Sequence, residues 1–90
     1  MKDIWSAMAD PTRREILQLL QKRDITAGEI AEQFDISGAT ISHHLKILRE
    51  AGLVTSTKEK QTITYRLNMT VFQEVLAGLA GMFGQGGNLS

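Results

Sequence analysis

The stretch Ser37-Gly-Ala-Thr-Ile-Ser-His-His-Leu-Lys-Ile-Leu48 decides how this chain is to be read. Ile41, Leu45 and Leu48 recur at i, i+4 and i+7, which turns one side of a helix toward a core. The other side carries Gly38, Ala39, Ser42, His43 and Lys46, short-chained near the helix start and hydrogen-bonding along its length. A helix that enters a DNA major groove needs that profile: slim residues at its N-terminus, donors for base edges and phosphates, and no acidic side chain until Glu50. An ordinary solvated helix capped at Ser37 uses the same residue types, so the surroundings have to decide.

Upstream, residues 3–9 form a short first helix with Ile4, Trp5 and Met8 on one side, broken at Asp10-Pro11. Asp10 caps the second helix, with Pro11 at its first position, where a missing N–H costs nothing. Ile16, Leu17, Leu19 and Leu20 give that helix a broad buried stripe, which fades in the charged segment Gln21 to Asp24. Thr26 with Glu29 three residues on resembles a capping box and starts a third helix whose Ile30 and Phe34 point inward. Asp35-Ile36 is a tight connection to the fourth helix, so the third and fourth are spaced as a helix-turn-helix. The fourth ends at Ala51-Gly52, where glycine can take the left-handed stop.

Downstream, Leu53 to Thr57 and Thr62 to Leu67 are rich in β-branched residues and roughly alternate, which predicts a β-hairpin with a polar, basic tip at Lys58-Glu-Lys-Gln61. Asn68 or Thr70 then caps a last helix over residues 71–83, apolar at 72, 75, 76, 79 and 83 but also at 71 and 82. A helix apolar over more than one face needs two bodies to pack against, and in so short a chain the second is most simply another copy. The tail from Gly84 is read as frayed. The fold class is mainly α (α+β): a winged helix-turn-helix of four helices, a two-stranded hairpin wing and a C-terminal dimerisation helix. Residues 1–83 form one DNA-binding and dimerisation domain, and 84–90 a disordered tail.

Ninety residues make one domain with a core thin enough that a partner subunit would help stabilise it. The absence of cysteine excludes a disulfide framework, a thiolate metal site and a cysteine nucleophile together. With no signal-peptide run and no membrane-length apolar segment, a cytoplasmic protein is expected. Net charge is zero, yet it is unevenly spread. Residues 1–36 hold five basic against seven acidic side chains, whereas residues 37–66 hold five basic against two, with both histidines extra. The third of the chain that would meet DNA is the basic third.

The chain resembles the ArsR/SmtB family of bacterial repressors over nearly its whole length. The resemblance is carried by Ala9-Asp-Pro-Thr-Arg-Arg-Glu-Ile-Leu17, Thr26-Ala-Gly-Glu-Ile-Ala31, Ile41-Ser-His-His-Leu-Lys-Ile-Leu48, Ala51-Gly-Leu-Val54 and Thr64-Tyr-Arg-Leu67. None of these is diagnostic by itself; their order and spacing together are specific. The short length and the Ser-His-His-Leu run look most like the SdpR-like autorepressor branch. By that resemblance Ser42 and His43 sit where base edges are read.

The expected DNA-binding set is Ser37, Thr40, Ser42, His43, His44, Lys46, Arg49, Lys58, Lys60 and Gln61. Ser37 and Thr40 serve the helix start, whose N–H groups can also hold a phosphate. His44 is one step round from His43, and packing against the domain is its alternative. Lys46 and Arg49 extend toward phosphates, with an ion pair as the other reading of Arg49. Lys58, Lys60 and Gln61 reach the adjacent minor groove or its phosphates, or form a solvated turn. The family usually places glycine close to the wing tip, where Lys60 stands here, so a looser or differently shaped turn is expected. Thr12, Arg13 and Arg14 follow the second helix's cap; the resemblance implies a structural use of this segment, and because the dipole opposes an arginine there, a phosphate or carboxylate partner is the other reading. The expected dimer interface is Ile4, Trp5, Met8, Val71, Val75, Leu79, Met82 and Phe83, Trp5 being a dimer or core anchor.

No metal or other cofactor is expected. Metal-sensing members place cysteines in the third helix or Asp/His/Glu sets on the last, but residues 26–35 hold neither cysteine nor histidine and the last helix offers only Glu74. The adjacent histidines point about 100° apart on a helix and cannot converge on one ion. Nor is there a nucleophile with a base, a paired carboxylate site or a glycine-rich phosphate loop, so no enzyme is expected. The expected partners are double-stranded DNA, a second copy and an unidentified regulatory protein that relieves repression. The function indicated is a homodimeric repressor on a palindromic operator. A winged-helix protein-interaction module without DNA binding and a metal-responsive repressor are the alternatives.

Overall fold

The computed structural model describes residues 3–87, with side chains through residue 82. Five helices and three strands follow in the order α1 (Ile4–Ala7), α2 (Pro11–Lys22), β1 (Ile25–Thr26), α3 (Ala27–Gln33), α4 (Gly38–Glu50), β2 (Val54–Glu59), β3 (Thr62–Leu67) and α5 (Met69–Gly87). The arrangement is the winged helix-turn-helix that the sequence indicates, with one strand more. α5 runs as backbone helix to Gly87, past the fray point expected at Gly84.

Local chemistry sets most boundaries. Asp10 caps α2 by accepting the Arg13 N–H at 3.1 Å, with Pro11 opening the helix. Thr26 and Glu29 close a complete capping box on α3, the Thr26 N–H donating to Glu29 Oε1 at 3.0 Å and the Glu29 N–H to Thr26 Oγ1 at 3.2 Å. Ser37 Oγ accepts the Thr40 N–H at 3.2 Å and starts α4. Of the two caps considered for α5, Asn68 is the one used, its Oδ1 accepting from the Val71 N–H. At the far end of α4 the Gly52 N–H donates to Arg49 O and the Leu53 N–H to Leu48 O, both at 3.0 Å. Those two bonds are a Schellman stop, and Gly52 supplies the φ of +82° it requires. α1 is shorter than the 3–9 expected, because the chain turns at Met8 and Ala9 to reach the Asp10 cap.

The sheet is antiparallel in the order β1-β3-β2. β1 pairs Ile25 with Tyr65 and Thr26 with Thr64, so the wing is stitched to the body on the inner side of β3. β2 and β3 pair from Val54↔Leu67 to Glu59↔Thr62, leaving Lys60 and Gln61 as a two-residue loop. Of the looser or differently shaped turn expected, the looser one is not what forms: a two-residue turn closes without glycine because Lys60 itself takes a φ of +58°. The core lies where α2, α3, α4 and the base of the wing meet, with Ile16, Leu17, Ile30, Leu45, Leu48, Leu53 and Val54 fully enclosed.

Candidate nucleic-acid interface

α4 is held on three sides before it presents anything outward. Ile41, Leu45 and Leu48 face the core, the Ser37 cap fixes its start, and the Schellman turn fixes its end. Its outer side carries Ser42, His43 and Lys46, all exposed, and Arg49 is exposed on the last turn. Ser37 and Thr40 are exposed at the N-terminal end, their hydroxyls 2.9 Å apart. The first N–H groups of any helix lack an intrahelical acceptor, and here they open beside the small residues Gly38 and Ala39. At the wing, Lys58, Lys60 and Gln61 are exposed around the tight turn.

His44 departs from the expected set. It is only 9% exposed and faces the domain, which removes it from the outward-facing residues. Its Nδ1 lies 3.2 Å from an Arg13 Nη and 4.0 Å from Asp10 Oδ2. The helical spacing explains why: His44 is three residues after Ile41 and four before Leu48, inside the apolar stripe, whereas His43 falls on the opposite side. Burial pushes the His44 pKa down, the Asp10 carboxylate pulls it up, and Arg13 and His43 push it down again, leaving it below the ordinary histidine value.

Arg13 and Arg14 are likewise structural. Arg13 Nε donates to Ala7 O at 2.7 Å and its second Nη to Ser6 O at 3.3 Å, while Arg14 donates to Met8 O and Ala9 O at 2.8 and 2.9 Å. Both arginines meet backbone carbonyls at the end of α1, and the Arg13 charge also acts on the Asp10 carboxylate. The structural use of this segment was implied by the family resemblance, but its partners were not readable, since those carbonyls are set by where α1 stops.

The expected dimer residues divide. Val75 is buried within its own chain, and Ile4, Met8, Val71 and Leu79 are half-buried against that core, so they hold α1 and α5 to the domain. Trp5 and Met82 stay 51% and 70% exposed. Leu76 and Met69, seven residues apart on one line of α5, are also exposed although the expected interface omitted both. The Phe83 side chain lies outside the described residues. Among the described residues no group of three or more His, Cys, Asp or Glu side chains is placed to hold a metal ion, and no helix is long and apolar enough to cross a membrane.

Comparison with known proteins places this geometry. A family model described as a helix-turn-helix domain matches residues 8–57. The transcriptional repressor SdpR of Bacillus subtilis is 44% identical over 88 residues, covering 98% of both chains. A crystal structure of an ArsR family transcriptional regulator superposes with a TM-score of 0.81 at 32% identity, covering 88% of this chain and 87% of that one. The crystal structure of NolR from Sinorhizobium fredii gives 0.72 at 34% identity over 89% of this chain and 80% of its own. With that sequence identity spanning the chain end to end and the same winged architecture, the protein belongs to the ArsR family of helix-turn-helix, DNA-binding transcription regulators and is related to SdpR.

Proposed function

We propose that the protein is a homodimeric transcriptional repressor that binds a palindromic operator through α4 and responds to no metal. The observation that carries the reading is the outer face of α4: Ser42, His43 and Lys46 exposed on a helix whose inner face, start and end are all fixed. Ser42 and His43 read base edges, the hydroxyl and the imidazole nitrogens offering hydrogen bonds to guanine or adenine. Lys46 and Arg49 meet phosphates, and Lys58, Lys60 and Gln61 follow the backbone into the neighbouring minor groove. Trp5, Met69, Leu76 and Met82 supply the apolar surface through which two copies join. The dimer presents two α4 helices roughly 34 Å apart, one turn of DNA, and repression follows from covering a promoter. The donor types present support control by a partner protein or by concentration over control by a metal: residues 26–35 carry neither cysteine nor histidine, and Glu74 is the one acidic side chain of α5.

The test is fluorescence anisotropy with a promoter fragment selected from genomic DNA and with random DNA, at two salt concentrations. His43→Ala is expected to weaken selected-site binding by about 1–3 kcal/mol while leaving random binding almost unchanged. An equal fall on both would reduce His43 to a phosphate contact. A protein that shifts no DNA but co-purifies with another protein would favour the interaction-module reading, and a large affinity change on adding zinc or nickel would favour the metal-responsive one.

A further inference from the structure

The polar cluster of Asp10, Arg13 and His44 lies behind the DNA-reading face and is used by none of the contacts assigned above. Arg13 is its hub. One guanidinium donates to Ala7 O and Ser6 O at the end of α1 and reaches His44 Nδ1 on α4, 31 residues away in sequence. A guanidinium has donors only, so the ring nitrogen facing it must be the acceptor. That fixes His44 as a neutral imidazole carrying its proton on Nε2 whenever the bond is made.

We propose that His44 is a positioning residue for DNA recognition: by accepting the Arg13 hydrogen bond it ties α4 to the end of α1, and protonation of its ring releases that tie and lowers operator affinity. The inference rests on α4 being the DNA-contacting helix. His44 sits directly between His43 and Leu45, so a rotation of α4 that follows loss of the tie moves Ser42 and His43 together. Protonation replaces an acceptor by a second cation facing Arg13. Three ionisable groups act on the ring: Asp10 from the α2 cap, Arg13 from α2, and His43 from α4 itself, its ring centroid 6.4 Å away. Asp10 favours the proton and the other two oppose it, but Asp10 also accepts the Arg13 N–H and is held in the cap, so it cannot follow the ring outward. Among the described residues, α1, α3 and β2, which also pack against α4, supply none of the ionisable groups acting on His44.

The experiment measures selected-site DNA affinity at pH 7.5 and pH 5.5 for the parent protein, His44→Asn and His44→Leu, with thermal melting of each. It adds a long-range nitrogen–proton NMR spectrum of the parent histidines without DNA. Asparagine offers an oxygen near the Nδ1 position that accepts from Arg13 and takes up no proton; leucine keeps the bulk and removes the acceptor. The parent is expected to lose about tenfold more affinity at pH 5.5 than His44→Asn does, the scale of one hydrogen bond to a charged group. His44→Asn should bind within about threefold of the parent at pH 7.5, and His44→Leu should bind about tenfold less tightly than His44→Asn. The NMR spectrum should show His44 as the Nε2–H tautomer at neutral pH, a result that does not depend on either variant folding. An Nδ1–H tautomer, or a pH profile identical in the parent and His44→Asn, would overturn the positioning role while leaving α4 as the DNA helix. A parent protein that binds no selected fragment at either pH, yet shows the expected tautomer, would overturn the functional reading and with it the proposal.

Discussion

Asp10 serves two elements with one carboxylate, and the consequence is a stability that depends on acid. It caps α2 and faces the buried ring of His44 at 4.0 Å. Burial raises its pKa, but the Arg13 N–H, the charges of His44 and Arg13 and the Thr12 N–H together hold it below the ordinary carboxylate value. For His44, whose folded pKa also lies below its unfolded one, the unfolded chain takes up a proton first as pH falls. Its contribution to stability is therefore complete above about pH 6.5 and is lost as pH drops from there through the folded value. The contribution of Asp10 disappears only further down, through its own depressed value. Urea unfolding should give equal stabilities at pH 8 and 7, a lower one at pH 5.5, and a much smaller fall in His44→Asn. A flat profile down to pH 5 would mean that the His44 ring titrates as freely folded as unfolded. His44 also shows what a single sequence conceals at this scale. Its place three residues after Ile41 and four before Leu48 marks it as inward-facing, but its polarity argues for the surface, and Arg13, the partner that resolves the conflict, is 31 residues away.

At the scale of elements, the starts of α2, α3, α4 and α5 and the stop of α4 were legible because they rest on local chemistry: Asp10-Pro11, Thr26 with Glu29, Ser37, Asn68 and Gly52 each act on backbone groups within a few residues, whereas the ends of α1 and α5 carry no such signal. β1 was not legible. Two residues hold no periodicity, and Ile25 and Thr26 are a strand only because Tyr65 and Thr64 lie alongside them. The wing turn was misjudged in the other direction, since six paired positions along β2 and β3 outweigh the preference of the tip for glycine. The strain at Lys60 makes a separable prediction. Lys60→Gly should raise stability by about 1 kcal/mol, roughly 4–8 °C in melting temperature, by relieving the left-handed φ. Lys60→Ala removes the same charge and keeps the strain, so its melting point should match the parent. If the wing meets phosphates, both variants should flatten the salt dependence of DNA binding by about one unit of slope. A Lys60→Gly protein that melts with the parent would show that the turn is unstrained.

The whole molecule is longer than its residue count requires. Its radius of gyration is 14.4 Å and its extents are 49 × 26 × 23 Å, against about 12 Å for the radius of a compact chain of this size. α5 contributes to this: it buries Phe72 and Val75 against the domain and leaves Met69, Leu76 and Met82 exposed. The two-faced apolar pattern of this helix was readable in the sequence, but which residues served which face was not, because that depends on the angle at which α5 leaves β3. Val75 therefore moves from the expected interface to the core, and Leu76 takes its place at the surface. Leu76→Arg should leave the far-ultraviolet spectrum intact, convert the proposed dimer to monomer in sedimentation equilibrium, and abolish tight operator binding, while His43→Ala keeps the dimer. A Leu76→Arg protein that remains a dimer would place the interface elsewhere.

Hydroxyl-radical footprinting on a promoter fragment selected by the purified protein addresses most directly whether α4 reads DNA twice in one symmetric assembly. The structure and the proposed dimer together predict two protected half-sites related by a dyad, centred about 10 base pairs apart or a multiple of that, both weakened in His43→Ala. A single unpaired protected patch, or selection that recovers no fragment the protein protects, would contradict it.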